Sequence, residues 1–179
     1  MKLEDKDIIE TIRNDRETGF RLLLRKYKEP VYWYIRRLVV VHEDAQDVAQ
    51  ETFLRIFKAF DSYHEEYSLK AWIYRIATNE ALRLLENRKK EQLSLENLNS
   101  ESLISLQADT YVNYSGLELK FQKAIKTLSE KQQITFTLRY YDELDYEEIA
   151  RVIDSNSAAA KSNYHIAKNK IVQYMNSTD

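Results

Sequence analysis

The sequence predicts an all-α protein of two small helical domains joined by a flexible linker, and three observations carry that prediction. Only two Gly and one Pro occur in 179 residues, whereas a sheet protein needs glycines for its turns and bulges. Apolar residues recur at helical spacing over 5–90 and again over 117–175. Between these blocks, "EQLSLENLNSESLISLQADTYVNYSG" breaks the period with Ser, Asn, Glu and Asp. A linker of that length is uncommon inside one compact domain. The expected division is 1–90, 91–116 and 117–179.

The elements follow in order. "DKDIIETIRN" places Ile8, Ile9 and Ile12 on one helical face, and a second helix over 17–28 turns Phe20, Leu23, Leu24 and Tyr27 inward. Pro30 allows a boundary or a kink before "VYWYIRRLVVV", whose apolar length suits a buried helix. "HEDAQD" then supplies an N-cap and acidic first-turn residues. In the helix that follows, "DAQDVAQETFLRIFKAF", residues Ala45, Val48, Ala49, Phe53, Ile56, Phe57 and Phe60 form an apolar stripe. The opposite side carries Asp44, Asp47, Gln50, Glu51, Arg55 and Lys58. "DSYHEEYS" reads as a loop, and 69–90 as a long helix with a basic end. Trp72, Ile73, Ile76 and Leu84 are expected in its core face.

Composition narrows the function classes. Cys is absent, so disulfides, thiolate catalysis and thiolate zinc sites are excluded together. His42, His64 and His165 lie far apart without metal-ligand spacing. No phosphate-cradling or dinucleotide glycine pattern occurs. No catalytic residue, metal, cofactor or small-molecule substrate is therefore expected. The N-terminus is charged from Lys2, and no apolar run reaches the roughly 20 residues of a membrane span. The expected location is cytoplasmic, without membrane insertion.

The net charge of −2 conceals an asymmetry. Over 70–90 six basic residues face two acidic ones, over 151–170 four face one, and 91–119 carries five acids and no Lys or Arg. Two basic segments thus flank an acidic middle.

The C-terminal block "LDYEEIARVIDSNSAAAKSNYHIAKNKIVQYM" divides into two helices. Asp145 caps the first, with Ile149, Ala150 and Ile153 inward; "DSN" is the turn, and Ser157 is expected to cap the second. Asp154 stands where such turns favour Gly, and Asp tolerates the left-handed region better than most residues. Ala160, Tyr164, Ala167 and Ile171 form the inner stripe of the second helix, and Ala158, Lys161, Ser162, Asn163, His165 and Lys168 its outer face. Small N-terminal residues allow close approach to DNA, the lysines neutralise phosphates, and Ser, Asn and His offer donors and acceptors to base edges. A plain αα-hairpin with a solvated polar face remains open on this pattern alone.

"DAQDVAQETFLRIFKAF", "AWIYRIATNEALRLLENRKK", "LSEKQQITFTLRYYDELDYEEIARVI" and "AAAKSNYHIAKNK", in that order, resemble a bacterial sigma factor of the extracytoplasmic-function (ECF) group. The resemblance covers nearly the whole chain outside the linker. It implies sigma region 2 and sigma region 4, and a promoter-specificity subunit that directs transcription initiation by core RNA polymerase without catalysis. Asp44, Asp47, Gln50, Glu51, Leu54 and Arg55 would meet the β′ coiled coil of polymerase, with the β flap as a further contact. Tyr63, His64, Tyr67, Arg75, Asn79, Arg83, Arg88, Lys89 and Lys90 would handle the −10 element of promoter DNA. Ala158, Lys161, Ser162, Asn163, His165 and Lys168 would enter the −35 major groove. Asn163 and Ile166 stand where Arg is common in relatives, which alters the expected sequence preference. An anti-sigma factor is the implied regulatory partner.

Two other readings stay open at this level. A DNA-binding regulator would use only the C-terminal helix-turn-helix, leaving the acidic helix and the 72–90 segment unexplained. A helical interaction module without DNA would leave the basic segments unexplained. Taken alone, the acidic helix also fits an ordinary amphipathic helix with Glu51–Arg55 as an i,i+4 pair.

Overall fold

The computed structural model describes residues 2–92 and 114–177. Eight α-helices occur among them: α1 Asp5–Asn14, α2 Arg16–Val39, α3 His42–Ala59, α4 Leu69–Gln92, α5 Gly116–Lys126, α6 Glu130–Tyr140, α7 Tyr146–Val152 and α8 Ser157–Asn176. A 3₁₀ turn, Phe60–Ser62, follows α3. No strand is present among the described residues. The acidic segment between the two blocks lies largely outside them.

The first four helices form one bundle. Asp15 separates α1 from α2 and caps α2, accepting from the Thr18 amide at 3.3 Å and the Thr18 hydroxyl at 2.6 Å. These bonds stabilise the ionised carboxylate and hold its pKa below the ordinary value. Helix α1 buries Ile8, Ile9 and Ile12 against α2. Val31, Tyr34, Ile35 and Leu38 of α2 join Ile56 of α3 and Ile73, Tyr74 and Ala77 of α4 in the core. At its centre the Tyr34 hydroxyl and Thr78 Oγ1 lie 2.6 Å apart, which satisfies both buried groups.

Three local expectations change. Helix α2 continues through Pro30, which is exposed, although the ring removes one helical donor. The apolar run does not stay helical to its end: Val40 sits at φ 72, ψ −44, and Val41 N–H bonds the Val39 carbonyl at 2.9 Å. This is a γ-turn on a β-branched residue, a rare conformation held by the buried neighbourhood of Val40. Helix α3 then starts from Val41 with no side-chain cap, although Glu43 and Asp44 do supply acid to its first turn.

The second block is punctuated by capping boxes. Ser115 with Glu118, Ser129 with Gln132 and Asp145 with Glu148 each exchange side-chain and backbone hydrogen bonds at a helix start. Asn156, rather than Ser157, caps α8 by accepting from the Ala159 amide at 2.8 Å. The left-handed residue of the α7–α8 turn is Asp154, at φ 53. Phe136 stacks between Tyr140 and Tyr164, at 5.1 and 5.7 Å between ring centroids, over Ala124, Ile125, Ala167 and Ile171.

The two blocks also meet. Ile134, Leu138, Leu144, Ile149 and Val152 belong to the same buried cluster as the core of the first four helices. Helix α4 lies against α7, and α2 touches α6.

Candidate functional site

Helix α3 separates its polar residues into two groups. Asp47, Gln50, Glu51 and Leu54 are exposed, Leu54 at 47%. Beside them runs a groove of about 1140 Å³ floored by Phe20, Leu24, Tyr32, Trp33 and Phe53. Asp44 and Arg55 turn toward α4 instead. Asp44 is only 7% exposed, and Arg88 Nη2 reaches its Oδ1 at 2.5 Å. Burial pushes the Asp44 carboxyl above the ordinary range, and the Arg88 charge opposes that shift. Arg55 Nε lies 2.5 Å from Glu80 Oε1 and 3.4 Å from Glu51 Oε1.

Glu80 is a residue that the sequence reading missed. It is 6% exposed and also receives Arg83 Nη2 at 2.8 Å, so one buried carboxylate joins α3 to the basic side of α4. Its signal was present: Glu80 falls on the stripe of Ile73, Ala77 and Leu84, and an acid on an apolar stripe needs a cation or donor beside it.

The loop before α4 and the first half of α4 shape a second surface. Tyr63 is buried, donates to the Tyr67 carbonyl at 2.6 Å and lies 5.2 Å from the Trp72 ring, so it builds the loop from inside. His64 is exposed. Tyr67, Trp72, Arg75, Ile76 and Asn79 line a recess of about 250 Å³, which Arg151 of α7 also borders. Arg75, Asn79 and Lys89 are exposed, while Arg83, Arg88 and Lys90 have carboxylate partners in Glu80, Asp44 and Glu86. The positive face of α4 is therefore partly neutralised within the fold.

The third surface is the outer face of α8. Ala158, Lys161, Ser162, His165 and Lys168 are exposed and Asn163 half-buried, while Ala160, Ala167 and Ile171 face the core. Helix α7 crosses behind, held by Tyr146, whose ring lies 4.8 Å from the Arg139 guanidinium. A short helix, a left-handed turn and a longer helix with a small-residue N-terminus make a helix-turn-helix. No cluster of three or more His, Cys, Asp or Glu suited to a metal occurs among the described residues, and none of the described helices is long and apolar enough to cross a membrane.

Known proteins share this arrangement. Residues 23–91 match the model of Sigma-70 region 2, and residues 118–171 that of Sigma-70 region 4. The chain is 28% identical over 179 residues to the ECF RNA polymerase sigma-E factor of Escherichia coli, covering 95% of this chain and 93% of the relative. It is 26% identical over 178 residues to the RNA polymerase sigma-H factor of Pseudomonas aeruginosa, covering 94% and 92%. Among solved structures, the sigma factor RpoE of Bartonella quintana, crystallised with the anti-sigma factor NepR, superposes with a TM-score of 0.74 at 23% identity, over 89% of this chain and 98% of that one. CnrH, solved with the cytosolic domain of CnrY, gives 0.72 at 15% identity, over 98% and 99%. With both regions matched in order and ECF relatives aligned along nearly its full length, the chain belongs to the ECF group of sigma factors, the subunits that bind core RNA polymerase and direct transcription initiation at chosen promoters.

Proposed function

We propose a division of labour among the three surfaces. Asp47, Gln50, Glu51 and Leu54 on α3 dock on the β′ coiled coil of core polymerase, with the adjacent aromatic groove taking apolar side chains. Asp44 and Arg55, tied to Arg88 and Glu80, hold α3 against α4 behind that face. His64, Tyr67, Arg75, Asn79 and Lys89 meet the −10 element, for an exposed aromatic ring beside amide and cationic side chains suits an unstacked base and its phosphates. Tyr63, Arg83, Arg88 and Lys90 act there mainly by shaping the loop and the helix end. Lys161, Ser162, Asn163, His165 and Lys168, with Ala158 leaving room, read the −35 major groove, and the second domain sits near the β flap. The domains run over 1–90 and 117–179, with 91–116 between them.

The protein acts in the cytoplasm as a non-catalytic initiation factor. An anti-sigma factor is its natural inhibitor: RpoE of Bartonella quintana was crystallised with one, and CnrH was solved with the cytosolic domain of CnrY. A regulator that never joins polymerase is the weaker reading, because it gives the exposed acidic face of α3 no task.

The observation that carries the docking assignment is that exposed acidic and amide face, crossed by Leu54 and bordered by an apolar groove. Such a face complements a basic helical partner, and reversing its charge turns attraction into repulsion. Purified core polymerase from the source organism should bind the native chain and bind Asp47→Lys plus Glu51→Lys at least about tenfold more weakly. Circular dichroism checks that both chains are folded. Equal affinity of the two folded chains removes α3 from the docking surface.

A further inference from the structure

We infer that the cavity where the α2–α3 turn and the end of α4 meet α5 and α6 binds a small amphipathic carboxylate, an alkyl chain ending in one acid group. The inference does not depend on the assignment of surfaces above, with which the cavity shares only Arg88 and Lys89. The cavity holds about 310 Å³, within the size range of small-molecule pockets. Its walls are largely aliphatic: Val40, Val41, Leu82, Leu85, Leu128 and Ile134 line it. Leu82 and Leu85 are only half-buried, so an alkyl chain laid against them removes further apolar surface from water. Val40 is held at φ 72 in this wall although it is β-branched. Folds keep such backbone strain most often at ligand and switch sites.

The polar side of the cavity favours an anion. Lys126 Nζ donates to the Leu38 carbonyl at 2.9 Å, its one acceptor among the described residues. An ammonium has three donors, so two are left for a ligand. Lys89 is exposed beside the cavity, and Gln133 adds an amide donor from α6. Arg88 also lines it but is held by Asp44. Glu130, exposed at the start of α6, is the one acid among the lining residues. A carboxylate at Lys126 therefore gains a charged partner and donors, while its tail reaches Leu82, Leu85 and Ile134. An alkyl ammonium would meet Lys126 head on, and a small hydrophilic anion would leave the aliphatic walls wet. Burial lowers the free Lys126 ammonium to about 8, and a bound carboxylate restores its proton. Arg88 and Lys89 from α4 and Glu130 from α6 face the same space and keep their charges over that range.

Titration calorimetry of the full chain with acetate, hexanoate, octanoate and octanol, each below micelle formation, tests the site. Octanoate should bind at a single site with a Kd of about 1 mM or tighter. From hexanoate to octanoate the affinity should rise about two- to fourfold per added methylene, and acetate should not bind measurably. Lys126→Met should weaken octanoate at least about tenfold and leave octanol within about twofold. Octanoate affinity should fall as the pH rises above about 8 in the native chain and stay level in Lys126→Met. Leu85→Trp fills the cavity and should abolish binding of octanoate and octanol alike, with circular dichroism showing that the variant is folded. In methyl NMR of the native chain, octanoate should shift the signals of Val40, Leu82, Leu85 and Ile134 before others, a readout that stands even if Leu85→Trp does not fold. A native chain that ignores octanoate overturns the proposal. Affinity independent of chain length reduces the site to surface ion pairing and overturns it too. Binding that survives both variants, or that shifts methyl groups elsewhere, places the acid outside this cavity and overturns it equally.

Discussion

A methyl group at Gly19 would sit 2.3 Å from the backbone N of Ile12 and 2.4 Å from its Cγ1, because α1 and α2 touch at this point. Helix propensity favours Ala over Gly by about 1 kcal/mol. The clash outweighs that gain, since its partner is backbone and cannot rotate away. Gly19→Ala is expected to lose about 2 kcal/mol or more in denaturant unfolding; a neutral or stabilised variant would mean that the crossing relaxes freely. The same scale shows what local sequence reading can see of the site. The exposure of Asp47, Gln50, Glu51 and Leu54 follows from helical period alone. The inward turn of Asp44 does not, because its partner Arg88 lies 44 residues away on another helix. The turn of Arg55 toward Glu80 is hidden for the same reason, although the place of Glu80 on an apolar stripe is itself legible. Residues assigned to polymerase and to DNA thus pair with each other or share a carboxylate, which periodicity cannot reveal.

Between elements, Glu80 is where that pairing matters most. Its carboxylate serves Arg55 from α3 and Arg83 from its own helix, and both guanidinium groups stay partly in water. Glu80→Gln keeps the volume and removes the charge that the two cations share. The expected loss is about 1 kcal/mol, below the value for a fully buried pair because the arginines can hydrate. Denaturant unfolding measures it, and a loss below roughly 0.3 kcal/mol would show that water serves the arginines as well as Glu80 does. Most elements were legible because their signals are local: Ile spacing in α1, the Asp145–Glu148 capping box and the left-handed Asp154 each act within four residues. The α2–α3 junction was not. Pro30 is a local breaker that the packing of α2 overrides, and nothing local marks Val40 for a γ-turn that glycine would enter more easily. Those residues answer to the buried neighbourhood around Val39 and Val40, a property of the assembled bundle.

At the scale of the whole molecule, the seam between the two blocks was invisible to sequence: Lys70 and Tyr74 meet Asp142, and Lys126 meets Leu38, from 68 to 88 residues apart. The seam leaves a pH signature. Burial between the blocks lowers the Lys126 ammonium from 10.5 to about 8, because its charged form has lost water and gained one carbonyl. Between those values the unfolded chain holds a proton that the folded chain has released, so stability rises with pH. A full shift of that size is worth at most about 3 kcal/mol, and roughly 2 kcal/mol of it should develop between pH 7 and 10. Above pH 10 the sign reverses. Tyr27, Tyr34 and Tyr74 are held protonated beyond their ordinary 10.0, chiefly by burial. The folded chain then keeps protons that the unfolded chain gives up, and stability falls. Denaturant midpoints should climb from pH 8, peak near about 10 and then drop. Lys126→Met removes the titrating group while keeping an unbranched apolar side chain, so the climb should vanish and the drop above the peak remain. A Met variant that still climbs would assign the alkaline rise to some other group, and a native chain flat over the same range would mean that Lys126 keeps its water in the folded protein.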